Sequence, residues 1–251
     1  MGMQSTNIVY NNRKSCPFCL SLFKTLLNAK RKRQQTYVVF MKEELEEYIL
    51  GHIDEEPEVL ARIDHDTHVQ NYYWHMCSGY LQGRLIKMLT RMIRPRRVLE
   101  LGTFSGYSAL CLAEGLPDDD CRVDTIEIND EQEDFIREHM AQSPYANRLR
   151  LYIGDARDIV PALGERYDLV FIDANKRQYV EYYDLVMEYL NDGGFIIADN
   201  TLWAGKVVDP KAQREAQTRG VMDFNDRVKQ DPRVEKVIIP LRDGLTLIHK
   251  K

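Results

Sequence analysis

From residue 97 onward, short apolar runs alternate with stretches of helical periodicity. The runs are RVLEL (97–101), RVDTIEI (122–128), LRLYIG (149–154), YDLVFID (167–173) and FIIAD (195–199). Between them lie SGYSALCLAEGL, DEQEDFIREHMAQ, a short helical piece ending at Leu163, and QYVEYYDLVMEYL. Strands this apolar need cover on both faces, and strand–helix alternation supplies it by building a parallel sheet between helices. After FIIAD, a looser segment to about Arg214 leads into a helix through Val228. VEKVIIPL and LTLIHK then flank Arg242-Asp243-Gly244, where the Asp-Gly step signals a hairpin. The expected fold is α/β: a mostly parallel, seven-stranded sheet with an antiparallel C-terminal strand and helices on both faces.

Residues 41–92 read as helices that precede the sheet. Leu45, Ile49 and Ile53 share one face, and Leu81, Leu85, Met88, Leu89 and Met92 another, until Pro95 ends the helical region. Residues 1–40 differ in character: they hold seven Lys/Arg and no Asp or Glu, leaving 27 basic and 39 acidic residues in the remainder, a net of −12. So acidic a domain repels a polyanion, which argues against nucleic-acid binding despite AKRKR. Met41 opens a clean helical pattern and reads as the natural start, with 1–40 an upstream basic extension outside the domain of 41–251. Cys16 and Cys19 have redox or zinc spacing, but no second ligand pair or βαβ context accompanies them. Five scattered cysteines suit a reducing compartment, so a cytoplasmic location is expected. No apolar run is long enough to span a membrane.

In such sheets, ligands bind beyond the carboxyl ends of the strands. The first strand ends in Glu100, Gly102, Thr103, Phe104, Ser105, Gly106, Tyr107 and Ser108. A dinucleotide site wants G-x-G-x-x-G; this turn has only G-x-x-x-G, with an acid directly before it. Glu100 would repel a pyrophosphate and suit a positive amine; an ordinary strand–helix turn is the plain alternative. Glu127, ending the second strand, is placed to accept hydrogen bonds from ribose hydroxyls. Asp155, after the third, either caps the next helix or faces an adenine amino group. A nucleoside with a cationic amino-acid tail meets these demands together, and S-adenosylmethionine is such a molecule.

The segments VLELGTFSGYSALCLAEGL, TIEIN, GDARDIVPAL, YDLVFIDANKRQYVEYYDL, GGFIIADNTLWAGKVV, QTRGVMDFNDRV and PLRDGLTLIHKK resemble the cation-dependent O-methyltransferases. That family includes the catechol and caffeoyl-CoA O-methyltransferases and their bacterial relatives, and the likeness covers roughly residues 41–251. It implies a Rossmann-like methyltransferase fold. By motif, it also implies cofactor contacts at Glu100, Gly102, Thr103, Ser108, Glu127, Ala156 and Asn175, with Ser78 and Tyr182 mapping there less securely. Asn175 departs from the acidic residue common in the plant branch, and Ala204 replaces an asparagine associated there with substrate binding. Both changes weigh against a caffeoyl-CoA acceptor. Relatives often dimerise, and residues 41–92 offer an interface for a homodimer.

The fourth and fifth apolar strands end in oxygen-bearing side chains: Asp173 on one, Asp199 and Asn200 on the other. If these strands are neighbours, the side chains converge on one ion, since adjacent strands lie about 4.8 Å apart. The family's metal ligands match these three residues. An all-oxygen set favours Mg²⁺, with Ca²⁺ or Mn²⁺ as alternatives, and leaves positions for water and two substrate oxygens. Capping or ion pairing is the plain reading of either aspartate alone. Lys176, three residues beyond Asp173, matches the family's general base, which would take the proton of a phenol. Trp203, Met76 and Tyr80 are candidates to wall an aromatic pocket. The expected reaction is methyl transfer from S-adenosylmethionine to a small vicinal diphenol. A nicotinamide-dependent oxidoreductase and a non-catalytic cofactor-binding protein are the rivals.

Overall fold

The computed structural model describes residues 43–70 and 76–251. The basic segment 1–40, with its Cys16–Cys19 pair, lies outside the described residues, as does Met41.

Three helices lead in: α1 (Glu43–Leu50), α2 (Glu58–Gln70) and α3 (Tyr80–Ile93). The alternation then runs β1 (Arg97–Leu101), α4 (Tyr107–Gly115), β2 (Arg122–Glu127), α5 (Glu133–Ala141), β3 (Leu149–Ile153), α6 (Ala156–Leu163), β4 (Tyr167–Ile172), α7 (Tyr179–Tyr189) and β5 (Leu190–Ala198). Short 3₁₀ turns at 203–208 and 212–214 form the looser segment, followed by α8 (Ala216–Gln230), β6 (Val234–Ile239) and β7 (Leu245–Lys250). The strands form one seven-stranded sheet in the order β3-β2-β1-β4-β5-β7-β6. Pairing is parallel from β3 through β5; β7 runs antiparallel to both its neighbours. The strand order reverses direction between β1 and β4, which makes that boundary the switch point.

The continuous apolar runs do need two covers. Leu99, Leu101, Val170 and Ile172 face one layer, with Tyr179, Tyr183, Val186 and Phe224 from α7 and α8. Val98, Leu169, Phe171 and Ile197 face the other, with Leu60, Ile63, Ile86, Leu110 and Cys111 from α2, α3 and α4. Full burial of each such side chain contributes about 1.5–3 kcal/mol, so the sheet's centre is the most rigid platform available for a site.

Two features of the helical lead-in depart from the sequence pattern. Leu45 is exposed and Ile53 lies beyond the end of α1, so the first stripe does not form a buried face. On α3, Met88 and Met92 are exposed, and the buried residues are Gln82, Gly83, Arg84, Ile86 and Thr90. A polar face turns inward because each long polar group finds a partner there: Arg84 pairs with Glu114 at 2.8 Å, and Gln82 reaches across to β5's end. The expected hairpin forms between β6 and β7, joined by the five residues 240–244.

Candidate active site

Backbone hydrogen bonds continue the parallel ladder past the strand ends. Gly154 N–H donates to Glu127 O, Gly102 N–H to Ile126 O, Asp173 N–H to Leu101 O and Asp199 N–H to Ile172 O, all at 2.8–2.9 Å. Five strand ends therefore stand side by side on one edge, carrying Gly154, Glu127, Gly102, Asp173 and Asp199. At the switch point the approach is so close that a Cβ on Gly102 (φ 94°) would lie 2.1 Å from the Asp173 carbonyl oxygen. Only glycine fits between these two ends.

On the β1–β2 side, acidic groups are spent on the local backbone. Glu127 Oε2 accepts from Phe104 N–H at 2.8 Å and Oε1 from Asn129 N–H at 2.9 Å. One carboxylate thus fixes the turn after β1 and the exit from β2. Glu100 is fully buried. Thr103 passes a hydroxyl hydrogen to Thr125, and Thr125 donates to Glu100 Oε2, each at 2.5 Å. Glu100 Oε1 has no hydrogen-bond partner among the described residues. Burial pushes the Glu100 carboxyl up to about 8, against hydrogen bonds from Ser108 and Thr125. Asp155 caps α6 through Arg157 N–H at 2.9 Å and pairs with the Arg157 guanidinium at 2.6 Å, which holds its carboxyl below the usual range. Ala156 follows it, nearly buried.

The β4–β5 side is built differently. Lys176 is buried; its Nζ donates to Asp173 Oδ1 at 2.5 Å and to the Tyr179 hydroxyl at 2.7 Å. Tyr179 in turn donates to the Asp199 carbonyl at 3.0 Å, so one phenol ties the lysine to both strand ends. Asn200 sits at φ 56°, a left-handed conformation that asparagine tolerates, and its N–H donates to Asp199 Oδ1 at 2.6 Å. Gln82 Nε2 donates to the other oxygen, Oδ2, at 2.6 Å. Burial, and then the charge of Asp173, push the Asp199 carboxyl up to about 6. Two carboxylates in one enclosed corner call for more positive charge than a single lysine brings. With the Asn200 amide they form an all-oxygen set suited to a hard divalent cation. Among the described residues, no group of three or more His, Cys, Asp or Glu is placed to hold a metal; this corner offers two carboxylates and an amide.

The remaining predicted residues are dispersed around this edge. Asn175 is exposed and caps the turn at 176–178 by accepting from Arg177 N–H at 3.3 Å. Tyr182 is buried and shares a hydrogen bond with the Gln178 side-chain amide at 3.0 Å. Ser78 lines a cavity of about 310 Å³ together with Cys77, Tyr80, Gln82, Asp64 and Arg242. Tyr80 belongs to that wall, but the exposed Met76 and the half-buried Trp203 do not. Trp203 has a left-handed backbone (φ 47°), and its indole N–H lacks a partner.

Three residues of this edge escaped the sequence reading. Gln82 and Tyr179 fell inside stretches read only as helical, with no role assigned to either. Gly220 of α8 packs so tightly that a Cβ there would lie 2.3 Å from the Lys176 carbonyl oxygen. Its neighbours QTR-VMDF were a visible signal, but the contact is invisible without the fold.

A family model described as O-methyltransferase matches residues 51–251. Caffeoyl-CoA O-methyltransferase 1 of Eucalyptus globulus is 32% identical over 206 residues, which cover 78% of this chain and 82% of that protein. Caffeoyl-CoA O-methyltransferase 5 of Nicotiana tabacum is 30% identical over 207 residues, 78% of this chain and 85% of that one. Among solved structures, the O-methyltransferase TomG of Streptomyces achromogenes, in complex with SAM, superposes with a TM-score of 0.76 at 28% identity. That match covers 84% of this chain and all of TomG.

Proposed function

The chain belongs to the O-methyltransferase family and is an S-adenosylmethionine-dependent O-methyltransferase; from that premise we propose that its acceptor is a small vicinal diphenol and that a divalent cation assists the transfer. The observation that carries this reading is the pairing of Asp173 and Asp199 at adjacent strand ends, in one corner with a buried lysine amine. Asp173, Asp199 and Asn200 would hold the cation, Mg²⁺ before Ca²⁺ or Mn²⁺. When bound, it supplies positive charge that eases ionisation of a phenol, whose ordinary pKa is about 10.

Lys176 is the general base: as the neutral amine, which has the lone pair an ammonium lacks, its Nζ takes the proton of the reacting hydroxyl. Asp173 and Tyr179 hold that nitrogen from two sides, and α8 holds its backbone. Glu127 keeps lone pairs for ribose hydroxyls while its amide contacts fix the turn at Gly102 and Thr103. Asp155 and Ala156 stand at the adenine end. Ser78, Glu100, Ser108, Asn175 and Tyr182 complete the cofactor's surroundings. With an activated methyl group on the cofactor's sulfonium, the protein's main contribution is alignment of the two reactants, which removes several kcal/mol of entropic barrier.

Methyl transfer to a panel of catechols, with single-hydroxyl phenols as controls and with or without EDTA, tests the proposal. Turnover confined to vicinal diphenols and abolished by the chelator is expected. Chelator-resistant turnover would remove the cation, and equal use of monophenols would remove the diphenol.

A further inference from the structure

Gln82 occupies the first turn of α3 and is 1% exposed. Its Nε2 donates to Asp199 Oδ2 at 2.6 Å, across 117 residues of sequence. That bond fixes which end of the amide is which, because a carboxylate only accepts. Oε1 is then the end left over; it is buried and has no hydrogen-bond partner among the described residues. A buried acceptor left unsatisfied in this way is costly. Gln82 is also one of the residues around the 310 Å³ cavity, beside Ser78 and Tyr80. One side chain therefore grips a candidate cation ligand with one end while its other end is a buried, unused acceptor.

We propose that Gln82 is a positioning residue of the acceptor corner: its N–H locks the Asp199 carboxylate, and its buried carbonyl oxygen accepts a hydrogen bond from an O–H group that enters the corner beside Asp199. A vicinal diphenol has such a group to offer. When Lys176 removes the proton of one hydroxyl, the second keeps its own and needs an acceptor. A water entering with the cation carries the same chemistry. The Asp199 half of the role follows from geometry: Asn200 N–H fixes Oδ1 locally and, among the described residues, Gln82 alone donates to Oδ2, so the carboxylate plane depends on both. The inference rests on the cation corner proposed above.

Calorimetric titration of the S-adenosylhomocysteine-saturated protein with Mn²⁺ tests it on wild type, Asp199→Ala, Gln82→Met and Gln82→Leu, with thermal melting as the fold check. Loss of such a supporting contact typically weakens metal binding about 10–100-fold. Gln82→Met, which keeps the length but removes both polar ends, is expected to weaken Mn²⁺ by about that amount without loss of the folded state. A second titration, at saturating Mn²⁺, compares catechol with 2-methoxyphenol, which lacks the second hydroxyl. If the entering O–H belongs to the acceptor, Gln82→Met weakens catechol and leaves 2-methoxyphenol unchanged. If it belongs to water, the whole loss appears in the Mn²⁺ titration. A folded Gln82→Met protein with wild-type affinity for Mn²⁺ and catechol, shifted only in melting temperature, overturns the role and leaves a packing residue; Gln82→Leu repeats the test should the methionine variant not fold. Failure of wild type to bind Mn²⁺, or wild-type binding by Asp199→Ala, overturns the cation corner and this proposal with it.

Discussion

The two halves of the strand-end edge solve opposite electrostatic problems. On the β1–β2 half, Glu127 and Asp155 are satisfied by backbone N–H groups within the same turns or one strand away. On the β4–β5 half, support comes partly from far along the chain: Asp173 leans on Lys176, three residues on but packed against Gly220 of α8, and Asp199 on the adjacent Asn200 N–H and on Gln82 of α3. Among the described residues, orphaned polar atoms gather on that second half, at Gln82 Oε1, Trp203 Nε1 and Asn225 Oδ1, the last on the residue whose amide donates to the Thr201 carbonyl at 2.8 Å; the first half has a single one, Glu100 Oε1. One half is finished but for that one atom, a cradle against which the cofactor would rest. The other is an unfinished cluster whose charges and acceptors, on the proposed function, would be completed by what binds there.

If that contrast holds, the largest effects belong to the unfinished half. Asp199→Ala should abolish turnover while S-adenosylmethionine still binds, as measured by calorimetry beside a methyl-transfer assay. Lys176→Ala should lower kcat about 10²–10⁴-fold, the usual contribution of a general base. Lys176→Arg should not restore it, because a guanidinium stays protonated. Near-normal kcat in Lys176→Ala would reduce the lysine to a neighbouring charge. Gly220→Ala sharpens the comparison from outside the site. Its Cβ must displace the Lys176 backbone, so kcat should drop by up to about 10²-fold, as for a misplaced catalytic group. KM for the cofactor should stay unchanged, and the fold should lose about 1–3 kcal/mol from overpacking.

The finished half should respond more mildly. Glu127→Ala should weaken cofactor binding by about 1–3 kcal/mol, the scale of hydrogen bonds to a charged group. It should also lower the melting temperature of the free protein, because Phe104 and Asn129 lose their acceptor. Unchanged affinity with a lowered melting temperature would make Glu127 purely a turn anchor. The last effect, on stability rather than on binding, is a pH dependence at Glu100. Its folded pKa, about 8, lies above the ordinary value of 4.5. The folded state therefore holds a proton that the unfolded chain has released, and the stability this contributes is lost as pH rises from about 4.5 through about 8. Glu100→Gln has no proton to lose. Its melting temperature relative to wild type should climb between about pH 5 and pH 9, and a flat difference would contradict the burial effect.

The finished half was also the legible half. Asp155 and one oxygen of Glu127 serve backbone groups two residues on, at Arg157 and Asn129, so strand end and acid could be read together from TIEIN and GDAR; the other Glu127 oxygen reaches Phe104, 23 residues back, and only the fold shows that. Asp173, Lys176, Asp199 and Asn200 were legible as residue types at strand ends. Their supports were not. Tyr179 and Gln82 sit at helical spacing among apolar neighbours, and the inward face of α3 runs through Gln82, Ile86 and Thr90 rather than through its Leu and Met stripe. Hydrophobic periodicity locates the buried face only when burial is apolar; a polar group with a waiting partner inverts it.

Alone, the sequence determined the alternation, and with it a parallel sheet covered on both faces and closed by a hairpin, because strand and helix periods are local properties. It also determined which residue types arrive at the strand ends. The tertiary structure decided that β1 and β4 meet so closely that only glycine fits at 102, that α8 wedges Gly220 against Lys176, and that Gln82 faces Asp199. Those are distances between segments brought together by packing, and no period within a single segment encodes them.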